Sequence, residues 1–237
     1  MQALILAGGK GSRLKPYTTV LPKPLMPVGE LPIIEILMRQ LAYYGVQKVI
    51  LAVGYMGQLF HAFFEGTNRA RVDISYSWET EPLGTAGPIK LAFDDLEDDF
   101  LLLNGDLLTT LNYRNIFEFH KSKSASATIG LYRREVKIDF GVIETDGKSK
   151  LESYNEKPVF EFDVSMGVNV LNREKIRPII EAANYLDMPD LLMELRNQEG
   201  EVYCYREPCY WLDIGRAEDY KTAIETFDTR QSEFLPE

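Results

Sequence analysis

Cysteine is scarce in this chain: Cys204 and Cys209 are the two present in 237 residues. They are too few for a disulfide framework and lack metal-ligand spacing, so packed, reduced thiols and a cytoplasmic setting are expected. Histidine is equally rare. His61 and His120 both fall in helix-like segments, which points to surface or packing roles rather than catalysis. No run of eighteen apolar residues occurs, which excludes a membrane-spanning helix. The N-terminus has no basic, apolar, small-residue leader, and Met1–Leu6 reads as a first strand rather than a signal peptide. Basic residues are also in deficit, 26 Lys and Arg against 36 Asp and Glu, for a net charge of −10. Nucleic-acid binding, which needs a basic surface to neutralise phosphates, is thereby excluded. An acidic chain that binds a polyanion must use local devices: metal ions, backbone amides and a few placed Lys or Arg.

Hydrophobic residues make up 45% of the chain, enough for a full core. In the first half, apolar runs alternate with helical patterns, the mark of βαβ units and a largely parallel sheet. Strands are predicted at Ala3–Leu6, Val49–Val53, Ile74–Ser77, Phe100–Asn104 and Thr128–Tyr132. Ile33–Tyr44, with apolar residues at three-four spacing and a stop at Gly45, predicts a helix. Gln58–Phe64, Ala86–Phe93 and Ile116–His120 predict others. Beyond Gly141, short strands at Gly141–Glu144, Leu151–Tyr154 and Met166–Leu171 suggest a smaller β-rich portion laid over one sheet edge. A helix over Ala217–Phe227 closes the pattern, and a frayed polar tail is expected after it.

The segment Leu6-Ala7-Gly8-Gly9-Lys10-Gly11-Ser12-Arg13-Leu14 follows the first strand directly. Glycines allow unusual φ values and close ligand approach, so successive amides can face phosphate oxygens; a plain tight turn fits the same glycines. A dinucleotide fingerprint would need glycine where Leu14 stands, and a Walker loop would end in Gly-Lys-Ser or Gly-Lys-Thr. Neither fits. Arg13 sets this loop apart, together with Pro22-Lys23-Pro24, where flanking prolines restrict the backbone and favour an ammonium held in one place.

Two acids stand out. Asp106 lies just past a glycine at the end of the apolar run Leu101-Leu102-Leu103-Asn104-Gly105, placed to ligate Mg²⁺ or to cap a turn. Asp213, within Tyr210-Trp211-Leu212-Asp213-Ile214-Gly215, sits among apolar neighbours, where a carboxylate is costly unless paired or metal-bound. The acidic run Asp94–Asp99 carries no burial signal and reads as a solvated loop.

The glycine loop, followed at this spacing by Pro22-Lys23-Pro24-Leu25-Met26-Pro27, closely resembles the signature of the sugar-1-phosphate nucleotidyltransferases. The resemblance spans Gln2 to about Phe227. It implies a Rossmann-like α/β three-layer sandwich with a mixed, mainly parallel central sheet and a small β-rich sugar-binding lobe. The expected organisation is one nucleotidyltransferase domain over 1–228, with nucleotide-binding residues in about 1–140, sugar-phosphate residues in about 141–216, and a tail over 229–237. The implied reaction joins an NTP to a sugar 1-phosphate and releases pyrophosphate. Arg13 and Lys23 match the family's charge-neutralising residues, and Asp106 and Asp213 its Mg²⁺ ligands. Leu6, Ala7, Gly8, Gly9, Gly11, Ser12 and Gly105 fall on the nucleotide side.

Glu156-Lys157-Pro158 resembles the family's motif for sugar hydroxyls and sugar phosphate, and Phe140-Gly141-Val142 resembles the segment against the sugar ring. Ser165-Met166-Gly167 departs from the usual Asn-Ala-Gly, and Asn169 stands at a usually aromatic position, so the sugar contacts are expected to differ. Glu79-Thr80-Glu81-Pro82-Leu83-Gly84-Thr85 is most similar to the mannose-1-phosphate guanylyltransferases of the family. A carboxylate at Glu79 could accept two guanine N–H donors, whereas Glu79 and Glu81 could also be solvated acids at a strand end. GTP and a manno-configured sugar phosphate are therefore expected, with UTP, dTTP or CTP and another sugar or alcohol phosphate as the alternative. A non-catalytic relative that binds nucleotide-sugar is the rival class, although Arg13, Lys23, Asp106, Lys157 and Asp213 are all retained. The family's usual dimers and tetramers imply a homo-oligomer.

Overall fold

A computed structural model describes residues 1–65 and 71–235. Three near-continuous apolar runs become the parallel heart of a sheet. They are β1 (Gln2–Leu6), followed by the tight pair β2 (Pro27–Val28) and β3 (Leu31–Pro32), then β4 (Lys48–Val53), and, after β5 (Asp73–Trp78), β6 (Asp99–Asn104). Strands buried on both faces read as unbroken hydrophobic stretches, which is why their sequences do not alternate. The helices α1 (Ile33–Tyr43), α2 (Gly57–Phe64), α3 (Pro88–Ala92) and, beyond the short β7 (Leu107–Thr109), α4 (Tyr113–Ser122) cover them. Gly45 ends the first helix as the sequence suggests, at φ 94.

The second half begins with the long β8 (Ala127–Lys137) and the hairpin β9 (Val142–Thr145) and β10 (Leu151–Asn155). The fourteen-residue β11 (Val159–Asn172) and helices α5 (Arg173–Ala182) and α6 (Met188–Asn197) follow. Then come β12 (Val202–Tyr205), β13 (Trp211–Asp213) and α7 (Ala217–Phe234). The seven-stranded sheet runs β12-β8-β11-β6-β1-β4-β5. Its β1, β4, β5 and β6 contacts are parallel, β11 runs antiparallel to both β6 and β8, and β12 is parallel to β8. The mixed, mainly parallel expectation holds.

Three differences matter. The chain beyond Gly141 does not simply lie over a sheet edge: β11 and β12 are members of the main sheet, β9 and β10 form a separate hairpin, and β13 pairs with β7 apart from it. Helices α5 and α6 occupy a stretch of the β-rich portion for which the sequence suggested no element. The polar tail is not frayed through Leu235 either. Helix α7 continues past Phe227, with non-helical angles at Arg230, and buries Phe234 completely against Tyr210 and Phe227. Residues 236–237 of the expected tail lie outside the described residues.

The core has three parts. One lies under α1, α2 and α4, and one under α3, α5 and α6. The third joins Leu14, Val28, Ile33, Ile214 and Phe227 beneath α7. Among the described residues, no helix is long and apolar enough to cross a membrane.

Candidate functional site

The carboxyl ends of β1, β4 and β6 open into one cavity of about 620 Å³, where loops of parallel sheets place ligands. It is lined by Leu6, Ala7 and Ala52 and by the glycine loop from Gly8 to Arg13. The loop is fixed by backbone bonds: the Ala7 amide donates to the Ala52 carbonyl (2.8 Å) and the Tyr55 amide to the Gly8 carbonyl (3.2 Å). Gly11, at φ 57, would carry a Cβ only 2.9 Å from Thr18 Cγ2 and 3.3 Å from Lys23 Cβ. Glycine is required there because the loop is wedged against the proline-flanked lysine segment. Gly11, Ser12 and Arg13 turn in a short 3₁₀ segment whose Leu14 is buried in the α7 core. Lys10 also lines the cavity, a cation the sequence reading passed over.

Lys23 occupies the fixed position that its flanking prolines suggest. It is 7% exposed, and its Nζ forms a short ion pair with Asp106 and lies 3.7 Å from Asp213 Oδ1. The two aspartates meet because β13 pairs with β7, bringing Asp213 opposite Leu107, while the Ile214 amide donates to the Asp106 carbonyl (3.2 Å). Gly105 supports this turn from behind. Its amide donates to the Leu6 carbonyl, and a Cβ would stand 2.9 Å from that same oxygen. It packs closely here and is absent from the residues lining the cavity.

Burial raises the Asp213 carboxyl above its ordinary range, the Asp106 charge adds to the rise, and Lys23 and Arg13 oppose it. Asp106 Oδ1 is buried with no hydrogen-bond partner among the described residues. An all-oxygen pair with an orphaned carboxylate oxygen and mutual repulsion fits a hard divalent cation completed by water and phosphate oxygens. Among the described residues, no set of three or more His, Cys, Asp or Glu is gathered for a metal, so these two acids stand as a pair.

Glu79, Pro82, Gly84 and Thr85, all anticipated from sequence, also line the cavity, and Glu79 Oε2 comes close to Gly8 of the loop. The Glu79 carboxyl lies above its ordinary range because burial disfavours its charge, with a hydrogen bond from the Leu83 amide pulling the other way. It is therefore not simply a solvated strand-end acid. Pro24 and Pro88 line it too, and Asn104, Tyr185 and Asp187, which were missed, complete the lining. Asn104 was legible as the neighbour of Asp106. The other two join helices whose presence the sequence did not reveal.

Sugar-side candidates lie apart from that lining. Gly141 packs so closely on Tyr154 and Glu156 that a Cβ would collide with the Tyr154 hydroxyl, and that hydroxyl donates to Glu156 Oε2 (3.0 Å). Lys157 follows at φ 48 in the exposed turn before β11. Gly167 abuts the Asn104 side chain, which links this side to the cavity. Asn169 is 4% exposed, and its Oδ1 lacks a partner among the described residues. Met166 is buried, and its carbonyl accepts the Trp211 indole N–H (2.9 Å). Gly141, Glu156, Lys157, Gly167 and Asn169 are absent from the residues lining the cavity.

Residues 2–230 match the family described as nucleotidyl transferase. A mannose-1-phosphate guanyltransferase of Yarrowia lipolytica is 36% identical over 228 residues, covering 93% of this chain and 62% of that protein. A UTP–glucose-1-phosphate uridylyltransferase of Synechocystis is 31% identical, covering 94% of this chain and 62% of its own length. The chain thus spans less than two-thirds of the length of these curated relatives. The crystal structure of HddC from Yersinia pseudotuberculosis complexed with GMP-PN matches with a TM-score of 0.73 at 27% identity, covering 95% of this chain and 99% of that one.

Proposed function

This chain belongs to the nucleotidyl transferase family, and from that premise we propose that it transfers a nucleoside monophosphate from GTP to a manno-configured sugar 1-phosphate, releasing pyrophosphate. The observation that carries this reading is Lys23 joined to both Asp106 and Asp213 beside the cavity of the glycine loop. A phosphate oxygen of the sugar phosphate attacks the α-phosphorus in line. The bond from that phosphorus to the bridging oxygen breaks, and its electron pair leaves with pyrophosphate. The nucleophile is already an oxyanion, so no general base is needed. This accords with a buried His120 and an exposed His61 beside Glu65.

The remaining task is to let two polyanions approach, an electrostatic and positioning problem. Loop amides from Gly8 to Ser12 cradle the triphosphate while Arg13 and Lys23 neutralise it. Glu156 and Lys157 hold the sugar phosphate, with Gly141, Gly167 and Asn169 against the sugar. Asp106 and Asp213 would hold Mg²⁺, which when bound supplies positive charge between the two phosphates. Glu79, as an acceptor for guanine N–H groups, and the guanyltransferase relative support GTP; the Synechocystis relative keeps UTP as the second reading.

Pyrophosphate release from five NTPs, each paired with a panel of sugar 1-phosphates, tests the proposal. GTP with mannose 1-phosphate should rank first, and a ranking below UTP, dTTP and CTP would overturn the assignment of Glu79. Asp106→Asn should lower turnover by about 10²–10³ with the fold intact, the usual loss when a main charge contact is removed. Near-normal turnover in that variant would take Asp106 out of the site.

A further inference from the structure

Besides the glycine loop, the cavity is lined from two segments distant in sequence: residues 82–87, through Pro82, Gly84 and Thr85, and residues 185–188, through Tyr185 and Asp187. They are clamped through main chain on both sides: the Leu186 carbonyl accepts from the Ala86 and Gly87 amides (2.9 and 3.0 Å), and the Leu186 amide donates to the Leu83 carbonyl (2.9 Å). Gly84 sits at φ 88, and a Cβ there would run into the Leu186 carbonyl. Glycine at this position is thus demanded by the second segment, whatever ligand approaches from the other side.

Side chains finish the clamp. Asp187 Oδ1 accepts from the Thr85 amide (3.0 Å) and the Thr85 hydroxyl (3.2 Å), and Oδ2 accepts from the Tyr185 hydroxyl (3.2 Å). Thr85 Oγ1 in turn accepts from the Met188 amide (2.8 Å). Both carboxylate oxygens of Asp187 are engaged in holding protein groups. Tyr185 is tethered at its hydroxyl end, lines the cavity and leaves 59% of its surface open. A tethered ring with an open surface is a low-entropy platform for a flat ligand.

Resting on the proposed nucleotidyl transfer, we propose that this second segment forms the base subsite of the nucleotide. Tyr185 packs on the face of the base. Asp187 acts as a positioning residue that holds Thr85 and the Gly84 peptide in register with it. The loop between α5 and α6 thereby sets nucleotide affinity without touching the phosphates or the sugar.

The test separates KM from kcat in the full chain, using whichever NTP the wild type prefers. Tyr185→Ala should raise KM for that nucleotide about tenfold, in line with the loss of one base–aromatic contact. Its kcat and its KM for the sugar phosphate should stay within about twofold of wild type by the same argument. Tyr185→Phe, which keeps the ring, should restore the nucleotide KM. Asp187→Ala should raise the same KM, and Asp187→Asn, which keeps an acceptor towards Thr85, should recover most of it. An unchanged nucleotide KM in Tyr185→Ala, or a rise confined to the sugar phosphate, overturns the inference. Calorimetric binding of GDP to wild type and Tyr185→Ala keeps the two readings apart. A wild type that binds GDP but turns over no pair ends the proposed reaction, while equal GDP affinity in both proteins ends the subsite.

Discussion

At the scale of single residues, burial decides which titratable groups respond to pH. His120 is 1% exposed, with Nδ1 2.9 Å from the Thr128 hydroxyl and Nε2 3.4 Å from Asp99. Burial pulls its imidazole below the ordinary value, and Asp99 only partly opposes this. The unfolded chain therefore takes up a proton near the ordinary value of 6.5 while the folded chain resists it. This contribution to stability is whole above that pH and declines as pH falls towards the folded value. The urea midpoint should accordingly drop between pH 7.5 and 5.5, and His120→Gln should show a shallower drop. Equal slopes would mean that other groups carry the effect. The legibility of residues divides along similar physical lines. Lys23, Asp106 and Asp213 were readable because each sits in a short local pattern, whereas Tyr185 and Asp187 acquire meaning only through contact with Gly84 and Thr85.

At the scale of elements, the apolar runs of β1, β4 and β6 were legible because strands covered on both faces leave no polar position. The first half of β11 was not. Val159–Ser165 is largely exposed, and its strand character comes from pairing with β8, Val159 opposite Lys137. Helix α5 hides its apolar face, Ile176, Ile179 and Ile180, behind an internal Pro178, and α6 begins at Met188-Pro189. Helix α7 shows how an element that gives no residue to the cavity lining supports it. Its Phe227 is 2% exposed and shares a core with Leu14 of the glycine loop and with Ile214 beside Asp213, while the Tyr220 hydroxyl donates to the Pro27 carbonyl (2.6 Å). Phe227→Ala should cost about 3–5 kcal/mol of stability, read as a shift in urea midpoint at constant slope. A loss below 1 kcal/mol would show that this core closes around the gap.

At the scale of the whole molecule, a chain of net charge −10 sets Lys10, Arg13 and Lys23 in the lining of one cavity, beside Glu79, Asp106 and Asp187. A ligand that binds only the folded state stabilises it by mass action. Nucleotide with Mg²⁺ at one hundred times its Kd should add about 2.7 kcal/mol. For a chain of this size that corresponds to a rise in Tm of about 5–10 °C. Scanning fluorimetry with GTP, UTP and ATP reads it, and the same rise with every nucleotide would deny the cavity any selectivity for the base. The site also gathers its parts from segments far apart in sequence: the glycine loop follows β1, Lys23 and Asp106 come next, and Asp213 arrives on β13. A nascent chain halted after β12 would already carry Lys23 and Asp106 but not the second acid. The contact of Lys23 with both acids therefore waits until β13 has docked on β7, and a copy that stops short of β13 lacks half of that cluster.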